Sequence, residues 1–295
     1  MSSEGRIVVQ VTTSSETREC VIVTGASVGM GAATARELAR RGFHVLAGVR
    51  RDSDGDAIRD TGIEPVILDI TDQDQIRNLA DRFRGTLRAV INNAGVAANA
   101  PVETLPLSEW RRSFEVNLFG HVAVIQAFLP ALLRSKGRIV NISSVGGKVA
   151  MASYGAYAGS KFALEAMSDA LRRELAPHGV QVVVVEPGGV KTEMSDRGIA
   201  TANRLAAEMT SEQRERYGPM MQAIVSHTRA FTEAGLPADR AARVIADAVT
   251  DRRPRTRYTI GRDAATLTRL TRILPDRLLD RVVAANLRPH YPGRQ

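Results

Sequence analysis

Three side chains in the middle of the chain have the types and spacing needed for proton transfer to a bound oxygen atom. Tyr157 and Lys161 stand four residues apart in a helical run, and Ser143 and Ser144 end the strand-like run before it. Residues four apart lie on one face of a helix, so the lysine can approach the phenol. An ammonium group favours the ionised phenol, and a hydroxyl can hold a substrate oxygen. The group therefore predicts acid/base chemistry on an oxygen atom.

A glycine-rich turn near the N-terminus points to a bound nucleotide. Gly25, Gly29 and Gly31 follow the apolar residues 21–23 and precede a helical run. Glycines let the backbone approach a pyrophosphate, and the helix N-terminus adds favourable partial positive charge. Three glycines also occur in plain turns, but the strand–turn–helix placement favours a dinucleotide site. Together with the tyrosine, lysine and serine, the turn predicts a cofactor-dependent oxidoreductase.

The end of the second predicted strand indicates which dinucleotide binds. Residues 44–49 are followed by Arg50 and Arg51, and the first acidic residue is Asp52. A carboxylate at this position favours NAD, whereas a guanidinium group can pair with the 2′-phosphate of NADP. We predict NADP(H), with Arg50 as the main contact and Arg51 beside it. The alternative is a solvated arginine pair, since the chain has many arginines and only four lysines.

Composition excludes several classes of protein. The net charge of +8 is scattered among acids and forms no basic block with aromatic residues, so we expect no nucleic-acid partner. The single cysteine, Cys20, allows no intramolecular disulfide and fits a reducing compartment. The first nineteen residues lack the apolar core of a signal peptide, and we expect no apolar stretch of the roughly 20 residues that span a bilayer. We therefore expect a cytoplasmic protein.

Strand-like and helix-like runs alternate along most of the chain. This pattern predicts an α/β fold: a doubly wound parallel sheet of the Rossmann type, with about seven strands and helices on both faces. The predicted strands are residues 20–24, 44–49, 64–68, 89–92, 138–142, 181–186 and 257–260. The predicted helices are residues 32–41, 72–84, 107–135 and 156–175.

The predicted boundaries leave a segment at each end of one large domain. Residues 1–19 are an N-terminal extension, in which residues 7–11 could add an edge strand or belong to a tail. Residues 20–262 form the nucleotide-binding and catalytic domain. Residues 263–295 form a helical extension with apolar stripes interrupted by Pro275. We favour packing of these stripes on the domain or on a second subunit over contact with lipid.

The motifs together resemble the short-chain dehydrogenase/reductase family. The resemblance covers roughly residues 20–261. Each motif alone occurs by chance, but all of them in order at the family spacing do not. The matching positions are the TGxxxGxG turn at residues 24–31, Asp69, residues 92–95, Asn117, Ser144, Tyr157, Lys161, Pro187, Gly188 and Thr192.

This resemblance implies a role for each member of the catalytic group. Tyr157 would be the acid/base, with its pKa lowered by Lys161 and by the oxidised nicotinamide ring. Ser144 would hold the substrate oxygen, and the family spacing selects it over Ser143. Lys161 would also hold the nicotinamide ribose, and Asn117 would support a bound water that relays protons.

The resemblance also implies the cofactor contacts. Asp69 and Ile70 would meet the adenine, Asn93 and Gly95 would border its ribose, and the residues after the sixth strand would line the nicotinamide side. Asn92 and Asn93 could instead hold the sheet together. With the two arginines, the expected contacts are Gly25, Ser27, Val28, Gly29, Met30, Gly31, Arg50, Arg51, Asp69, Ile70, Asn93, Ala94, Gly95, Tyr157, Lys161, Pro187, Gly188, Val190 and Thr192.

The variable region of the family, residues 190–235 here, is the expected substrate lid. It holds four of the eight methionines, Met194, Met209, Met220 and Met221, which suits either an apolar substrate or ordinary packing. Residues 190–193 and the C-terminal tail, which is rich in arginine and leucine, resemble the steroid and retinol dehydrogenase branch of the family.

The sequence thus predicts an NADP-dependent oxidoreductase that transfers hydride between nicotinamide and a hydrophobic alcohol or carbonyl. The alternatives are a reductase of a sugar or acyl-thioester ketone, and a non-catalytic NADP(H)-sensing protein. A nucleotide-sugar epimerase fits the glycine spacing less well. The family commonly forms dimers or tetramers, so we expect a homo-oligomer built through residues 107–135 and 156–175. The five histidines lack metal-ligand spacing, and we expect no metal site.

Overall fold

A sheet of seven parallel strands forms the centre of the computed structural model, which describes residues 18–293. Several strands, such as the first, are buried on both faces, which explains their unbroken Val/Ile runs. The strands of this sheet are β1 (Cys20–Val23), β2 (His44–Val49), β3 (Ile63–Ile67), β4 (Leu87–Asn92), β5 (Arg138–Ile142), β6 (Gln181–Pro187) and β9 (Arg257–Ile260). A separate parallel pair joins β7 (Val190–Lys191) to β8 (Leu236–Pro237).

Helices connect these strands and cover the sheet. They are α1 (Gly29–Arg40), α2 (Asp52–Ile58), α3 (Gln73–Arg82), α4 (Leu107–Phe114), α5 (Gly120–Ser135), α6 (Gly155–Leu175), α7 (Glu193–Ala207), α8 (Ser211–Glu233), α9 (Ala238–Thr250), α10 (Arg262–Leu270) and α11 (Asp276–Leu287). One π-helical turn, Glu115–Phe119, joins α4 to α5. Short 3₁₀ turns cover Val145–Gly147, Ala176–His178 and Arg288–His290.

The strand order creates a crevice at the middle of the sheet. The order is β3-β2-β1-β4-β5-β6-β9. Strands β2 and β3 follow one another on one side of β1, and the chain then crosses to the other side of β1, where β4, β5, β6 and β9 follow one another. In such a sheet the connections after β1 and β4 leave in opposite directions and open a crevice at the carboxyl ends. Both the glycine turn after β1 and Asn93 after β4 lie at this switch point.

Two apolar layers hold the helices to the sheet. On one face, side chains of α1 and α9 such as Leu38 and Ile245 pack against the strands. On the other face, α3 and α5 contribute Ile76, Phe128 and Leu132. This arrangement confirms the predicted doubly wound α/β class.

The apolar character of residues 107–135 follows from this packing. By length and composition the continuous helix Leu107–Ser135 could cross a membrane, contrary to the expectation that no stretch is long enough. Its residues Val124, Phe128 and Leu132, however, are buried in the core against the sheet. A core helix covering a parallel sheet needs such a face.

The predicted strands match the observed ones to within about two residues, but the helices were predicted less completely. The helices α2, α7, α8 and α9 were not predicted. The C-terminal extension contains two helices, of which α10 ends before Pro275 and α11 begins directly after it. The extension at residues 1–17, including the proposed strand at residues 7–11, lies outside the described residues. The domain boundaries stay predictions.

Candidate active site

The backbone of the glycine turn explains why glycine stands at three of its positions. Gly25 and Gly29 have φ of 63° and 58°, a left-handed conformation that side chains disfavour. A Cβ on Gly31 would lie 2.2 Å from the Gly25 carbonyl oxygen and 2.5 Å from Asn93 Nδ2. The α1 helix begins within this turn and has no acidic residue in its first turn. The turn thus combines close backbone approach with the positive end of a helix, as a diphosphate requires.

The turn borders a cavity of about 670 Å³ at the carboxyl edge of the sheet. This volume lies within the range of small-molecule sites. Thirteen of the expected cofactor contacts line it: Gly25, Ser27, Val28, Gly29, Met30, Gly31, Arg50, Asp69, Ile70, Asn93, Ala94, Gly95 and Thr192. The residues present therefore fit the adenosine and diphosphate part of a dinucleotide.

The two arginines after β2 occupy different environments. Arg50 is exposed and lines the cavity. Arg51 does not line it, because its guanidinium donates to both carboxylate oxygens of Asp54, at 3.0 and 2.9 Å. A forked pair of this kind occupies the face of the guanidinium that a phosphate would use. Only Arg50 of the two is placed toward the nucleotide cavity.

Asp69 lies at the cavity with its orientation fixed by its own loop. Its Oδ1 accepts hydrogen bonds from the backbone N–H and the hydroxyl of Thr71, at 2.9 and 2.7 Å. Its backbone N–H donates to Gln75 Oε1 at 2.8 Å. The loop after β3 is therefore ordered by side-chain bonds that leave the carboxylate beside the cavity.

The asparagines after β4 hold the turn and the sheet together. Asn93 Nδ2 donates to the carbonyl oxygens of Thr24 and Gly25, at 2.9 and 3.0 Å. The Thr24 hydroxyl in turn accepts from the backbone N–H of Asn93 at 3.0 Å. Asn92 Nδ2 donates to Asn141 Oδ1 at 2.8 Å in the neighbouring strand. These bonds fit the alternative that Asn92 and Asn93 hold the sheet together, although Asn93 also borders the cavity.

One face of helix α7, which was not predicted from the sequence, closes over the cavity. Glu193, Arg197 and Thr201 all line the cavity and follow one another at intervals of four residues. Arg197 and Arg50 both lie near Asp54, because the charges of both lower the pKa of its carboxyl. The hydrogen bond from Arg51 is the largest cause of that lowering. The i, i+4, i+8 spacing was the available signal for this face.

Lys161 is buried and tied to the strand that precedes its helix. Lys161 is 3 % exposed, and its Nζ donates to the Ile142 carbonyl oxygen at 2.9 Å. Burial lowers the pKa of Lys161 to about 8, and the negative charge of Glu165 opposes this shift. Its Nζ lies 6.0 Å from the centre of the Tyr157 ring.

Tyr157 lies beside Ser144, with a glycine between them. A Cβ on Gly146 would be 3.1 Å from Tyr157 Cε1 and 3.4 Å from Ser144 Oγ, so a side chain here would crowd both residues. The Gly146 N–H donates to Ser144 Oγ at 3.0 Å and orients the hydroxyl. Burial raises the pKa of the Tyr157 phenol, and a hydrogen bond to Ser144 acts in the opposite direction. The protein alone therefore favours the neutral phenol, and the expected lowering stays a prediction about the loaded site.

The neighbouring serine points elsewhere. Ser143 is buried, and within residues 18–293 its hydroxyl has no hydrogen-bond partner. A Cβ on Gly147 would lie only 2.7 Å from Ser143 Oγ. The Ser144 hydroxyl, in contrast, lies on the side of Tyr157. Adjacent residues at a strand end face opposite sides, so only Ser144 of the two serines is placed beside Tyr157.

Asn117 connects the catalytic helix to the loop after β4. It lies in the π-helical turn Glu115–Phe119, and its amide donates to the Val96 carbonyl at 2.9 Å and to Ser160 Oγ at 3.0 Å. The Val96 N–H donates back to Asn117 Oδ1 at 2.9 Å. The Ser160 hydroxyl donates to the Tyr157 carbonyl at 2.7 Å. A π turn is common at functional sites, and here it places Asn117 between cavity and catalytic helix.

The remaining expected contacts lie outside the nucleotide cavity. Pro187, Gly188, Val190, Tyr157 and Lys161 do not line it. Gly95 connects the two regions, because a Cβ there would lie 3.3 Å from Met194 Cε on the cavity side and 3.4 Å from Asn117 Oδ1. Tyr157 and Lys161 therefore lie outside the cavity that the glycine turn borders.

The family to which the sequence matches agrees with this arrangement of a cavity near a tyrosine, a lysine and a serine. Residues 19–203 match the family described as short chain dehydrogenase, over more than half of the chain. The chain belongs to the short-chain dehydrogenase family. This confirms the resemblance drawn from the motifs and makes the protein an oxidoreductase of that type.

Similar short-chain dehydrogenases extend over nearly the whole chain. The uncharacterized oxidoreductase YbbO of Escherichia coli (strain K12) is 32 % identical over 93 % of this chain and 97 % of its own length. Retinol dehydrogenase 5 of Mus musculus is 34 % identical over 89 % of this chain and 87 % of its own. A short chain dehydrogenase from Burkholderia cenocepacia J2315, solved in complex with NADP, has a TM-score of 0.71 and 28 % identity, covering 92 % of this chain and 97 % of its own.

Proposed function

We propose that this short-chain dehydrogenase transfers hydride between NADP(H) and an alcohol or carbonyl substrate, with Tyr157 as the acid/base. The observation that carries the proposal is the placement of Tyr157 beside Ser144 and on the same helix as the buried Lys161. An acid/base, an oxygen-holding hydroxyl and a buried cation are the groups that this chemistry needs from the protein.

Arg50 supports NADP(H) over NAD(H). Its guanidinium lines the cavity at the end of β2, where a carboxylate would repel a 2′-phosphate. The Burkholderia relative in complex with NADP shares the fold and supports the same choice. Gly25, Gly29 and Gly31 would hold the diphosphate, and Asp69 with Ile70 the adenine. When bound, NADP(H) supplies or takes up the hydride.

The chain's own residues move the proton and hold the oxygen. Ser144 holds the substrate oxygen next to the Tyr157 phenol, which donates a proton in carbonyl reduction and accepts one in alcohol oxidation. Lys161 supplies a positive charge that favours the phenolate over its neutral form. Asn117 fixes the loop that carries Val96 to the catalytic helix through Ser160.

A hydrophobic substrate is supported by the resemblance to retinol dehydrogenase 5 more than by the methionines of the lid. Met209 and Met221 are buried among the packed lid residues, and Met194 lines the nucleotide cavity. Met209 and Met221 therefore support the packing alternative, whereas Met194 is available to a bound molecule.

The proposed assembly is a cytoplasmic homo-oligomer built through α4, α5 and α6. Phe119 is 55 % exposed and Phe162 is 44 % exposed on this surface. Two exposed phenylalanines on long neighbouring helices are suited to burial against a second copy.

A panel of aldehydes, ketones and alcohols, from small compounds to steroids and retinoids, tests the proposal. NADPH oxidation and NADP⁺ reduction are followed with NAD(H) measured in parallel. Turnover that prefers NADP(H) supports the proposal, and the best substrate defines the pocket. Tight NADPH binding without turnover across the panel would contradict it and favour a cofactor-sensing protein.

A further inference from the structure

A buried network of charged residues lies one helical turn from Lys161. Glu165, on α6, has a side chain only 6 % exposed, and its Oε2 lies 2.6 Å from Lys148 Nζ and 3.0 Å from Arg257 Nη2. Glu186 at the end of β6 lies 3.5 Å from Lys148 Nζ and 3.2 Å from Arg257 Nε. Lys148, directly after the 3₁₀ turn that follows β5, thus meets residues of α6, β6 and β9.

The carboxylates of the network differ in how they are paired. The more exposed Asp169 lies 3.0 Å from Arg257 Nη2 and 2.9 Å from Arg172 Nη2. The buried Glu165 and Glu186 share the cations Lys148 and Arg257. The three acids therefore face three bases, and the buried carboxylates are fixed in position. A carboxylate fixed near a buried lysine favours the charged form of that lysine.

Glu165 is the member of the network placed to act on Lys161. The two residues are four apart on α6 and so share a face. A Cβ on Gly147 would lie 3.2 Å from both Glu165 Cγ and the Lys161 carbonyl oxygen, so both residues pack against the same turn. Glu165 Oε1 is buried and has no hydrogen-bond partner among residues 18–293. Lys148 and Arg257 therefore both hold the carboxylate through Oε2.

The other groups near Lys161 do not supply a negative charge. Tyr157 on α6 is a phenol whose pKa is raised by burial. His121 on α5 is buried with its Nε2 2.8 Å from the Ala94 carbonyl, and burial together with the charge of Lys161 lowers its pKa to about 3. His121 is therefore neutral over the physiological range. Among these neighbours only Glu165 is an anion.

We propose that Glu165 is a positioning residue that supplies the counter-charge for Lys161 and is itself held in place by Lys148 and Arg257. This inference rests on the proposed function, in which the ammonium form of Lys161 favours the Tyr157 phenolate. The network thereby sets how much of the lysine is charged at neutral pH. It also fixes α6 relative to Glu186 near the end of β6 and to Arg257 at the start of β9.

The scarcity of lysine allows a direct test without cofactor or substrate. The chain contains four lysines, so protein grown with ε-¹³C-lysine gives few signals in a heteronuclear NMR spectrum. The Lys161 signal is assigned by its loss in Lys161→Met. Its chemical shift is then followed as the pH is raised, in the wild-type protein and in Glu165→Gln. In the wild type the pKa of Lys161 is expected at about 8.

The expected result is a pKa of Lys161 lower by about one unit in Glu165→Gln, because a nearby opposite charge is removed. Asp169→Asn is the matched control on the same helix: it removes a partner of Arg257 at 3.0 Å but lies two turns from Lys161. It should leave the Lys161 titration nearly unchanged. An unchanged titration in folded Glu165→Gln, or equal shifts in both variants, would overturn the proposal.

A second variant covers the case in which Glu165→Gln does not fold. Lys148→Gln removes the cation 2.6 Å from Glu165 and frees the carboxylate to act on Lys161. The pKa of Lys161 should then rise, and a fall would contradict the proposal. Since no turnover is measured, these results do not depend on whether the substrate assignment is correct. Failure of the enzyme assignment would instead appear in the turnover panel.

Discussion

The Lys161 ammonium donates a hydrogen bond of 2.9 Å to the carbonyl oxygen of Ile142, the last residue of β5. Ser144 stands two residues further along the same strand end, and Tyr157 stands one turn earlier on the same helix. This bond therefore ties the helix that carries Tyr157, the proposed acid/base, to the strand end that carries Ser144, the proposed holder of the substrate oxygen.

Replacing Arg50 tests the choice of cofactor. In Arg50→Ala we expect NADPH affinity to fall at least about tenfold, the effect of losing a charge-assisted hydrogen bond. NADH affinity should change little. Isothermal titration calorimetry measures both. The matched control is Arg51→Ala, whose guanidinium pairs with Asp54 outside the cavity. Equal losses in the two variants would mean that Arg50 does not select the phosphate.

Arg197 provides a test of the role of helix α7 in binding. It lines the cavity from the lid side and is exposed, so we expect Arg197→Ala to weaken NADPH binding by about fivefold, as for an exposed ion pair. Arg204→Ala on the same helix is the control, because Arg204 pairs with Glu208 at 2.8 Å and does not line the cavity. A loss of NADPH affinity in Arg204→Ala equal to that in Arg197→Ala would count against this role.

The glycine turn makes a prediction about stability. A Cβ on Gly31 would overlap the Gly25 carbonyl, so Gly31→Ala should lower the free energy of unfolding by about 1–3 kcal/mol and weaken nucleotide binding. Gly198→Ala in α7 is the control, since the nearest atom to its Cβ would be Ala97 Cβ at 3.8 Å. That variant should be up to about 1 kcal/mol more stable. Urea unfolding measures both, and a neutral Gly31→Ala would refute the close approach.

The buried lysine predicts a dependence of stability on pH. The unfolded chain keeps the Lys161 proton up to the ordinary pKa of 10.5, but the folded protein keeps it only up to about 8. Below pH 8 folding must bury the charge, at a cost of about 3 kcal/mol. Lys161→Met should therefore be more stable than the wild type below pH 8, and the difference should disappear as the pH rises to 10.5. A difference that is constant with pH would contradict the shift.

The strands and the glycine turn were predictable from the sequence because local patterns encode them. The apolar run at residues 182–185 is buried in β6, and the glycines of the turn stand where the backbone conformation requires them. These features depend on neighbours in the chain, which a sequence displays directly.

The missed features depend on contacts between distant segments. Arg51 was expected at the cofactor, but the nearby Asp54 competes for its guanidinium. Arg197 reaches the cavity only because α7 folds across the glycine turn, with Glu193 near Gly29. The network around Glu165 joins residues from four elements, and no local pattern in the sequence connects them.

The most direct test of the central claim compares two neighbouring tyrosines. Tyr157→Phe and Tyr154→Phe each remove one hydroxyl; the rings are 6.3 Å apart, and the Tyr154 hydroxyl lies 2.9 Å from Thr228 Oγ1. The measurement is kcat for the best substrate of the panel, with NADPH affinity determined for each variant. We predict that Tyr157→Phe lowers kcat by about 10²–10⁴-fold with NADPH affinity retained, whereas Tyr154→Phe keeps most of its activity. Substantial turnover in Tyr157→Phe would contradict the assignment of Tyr157 as the acid/base.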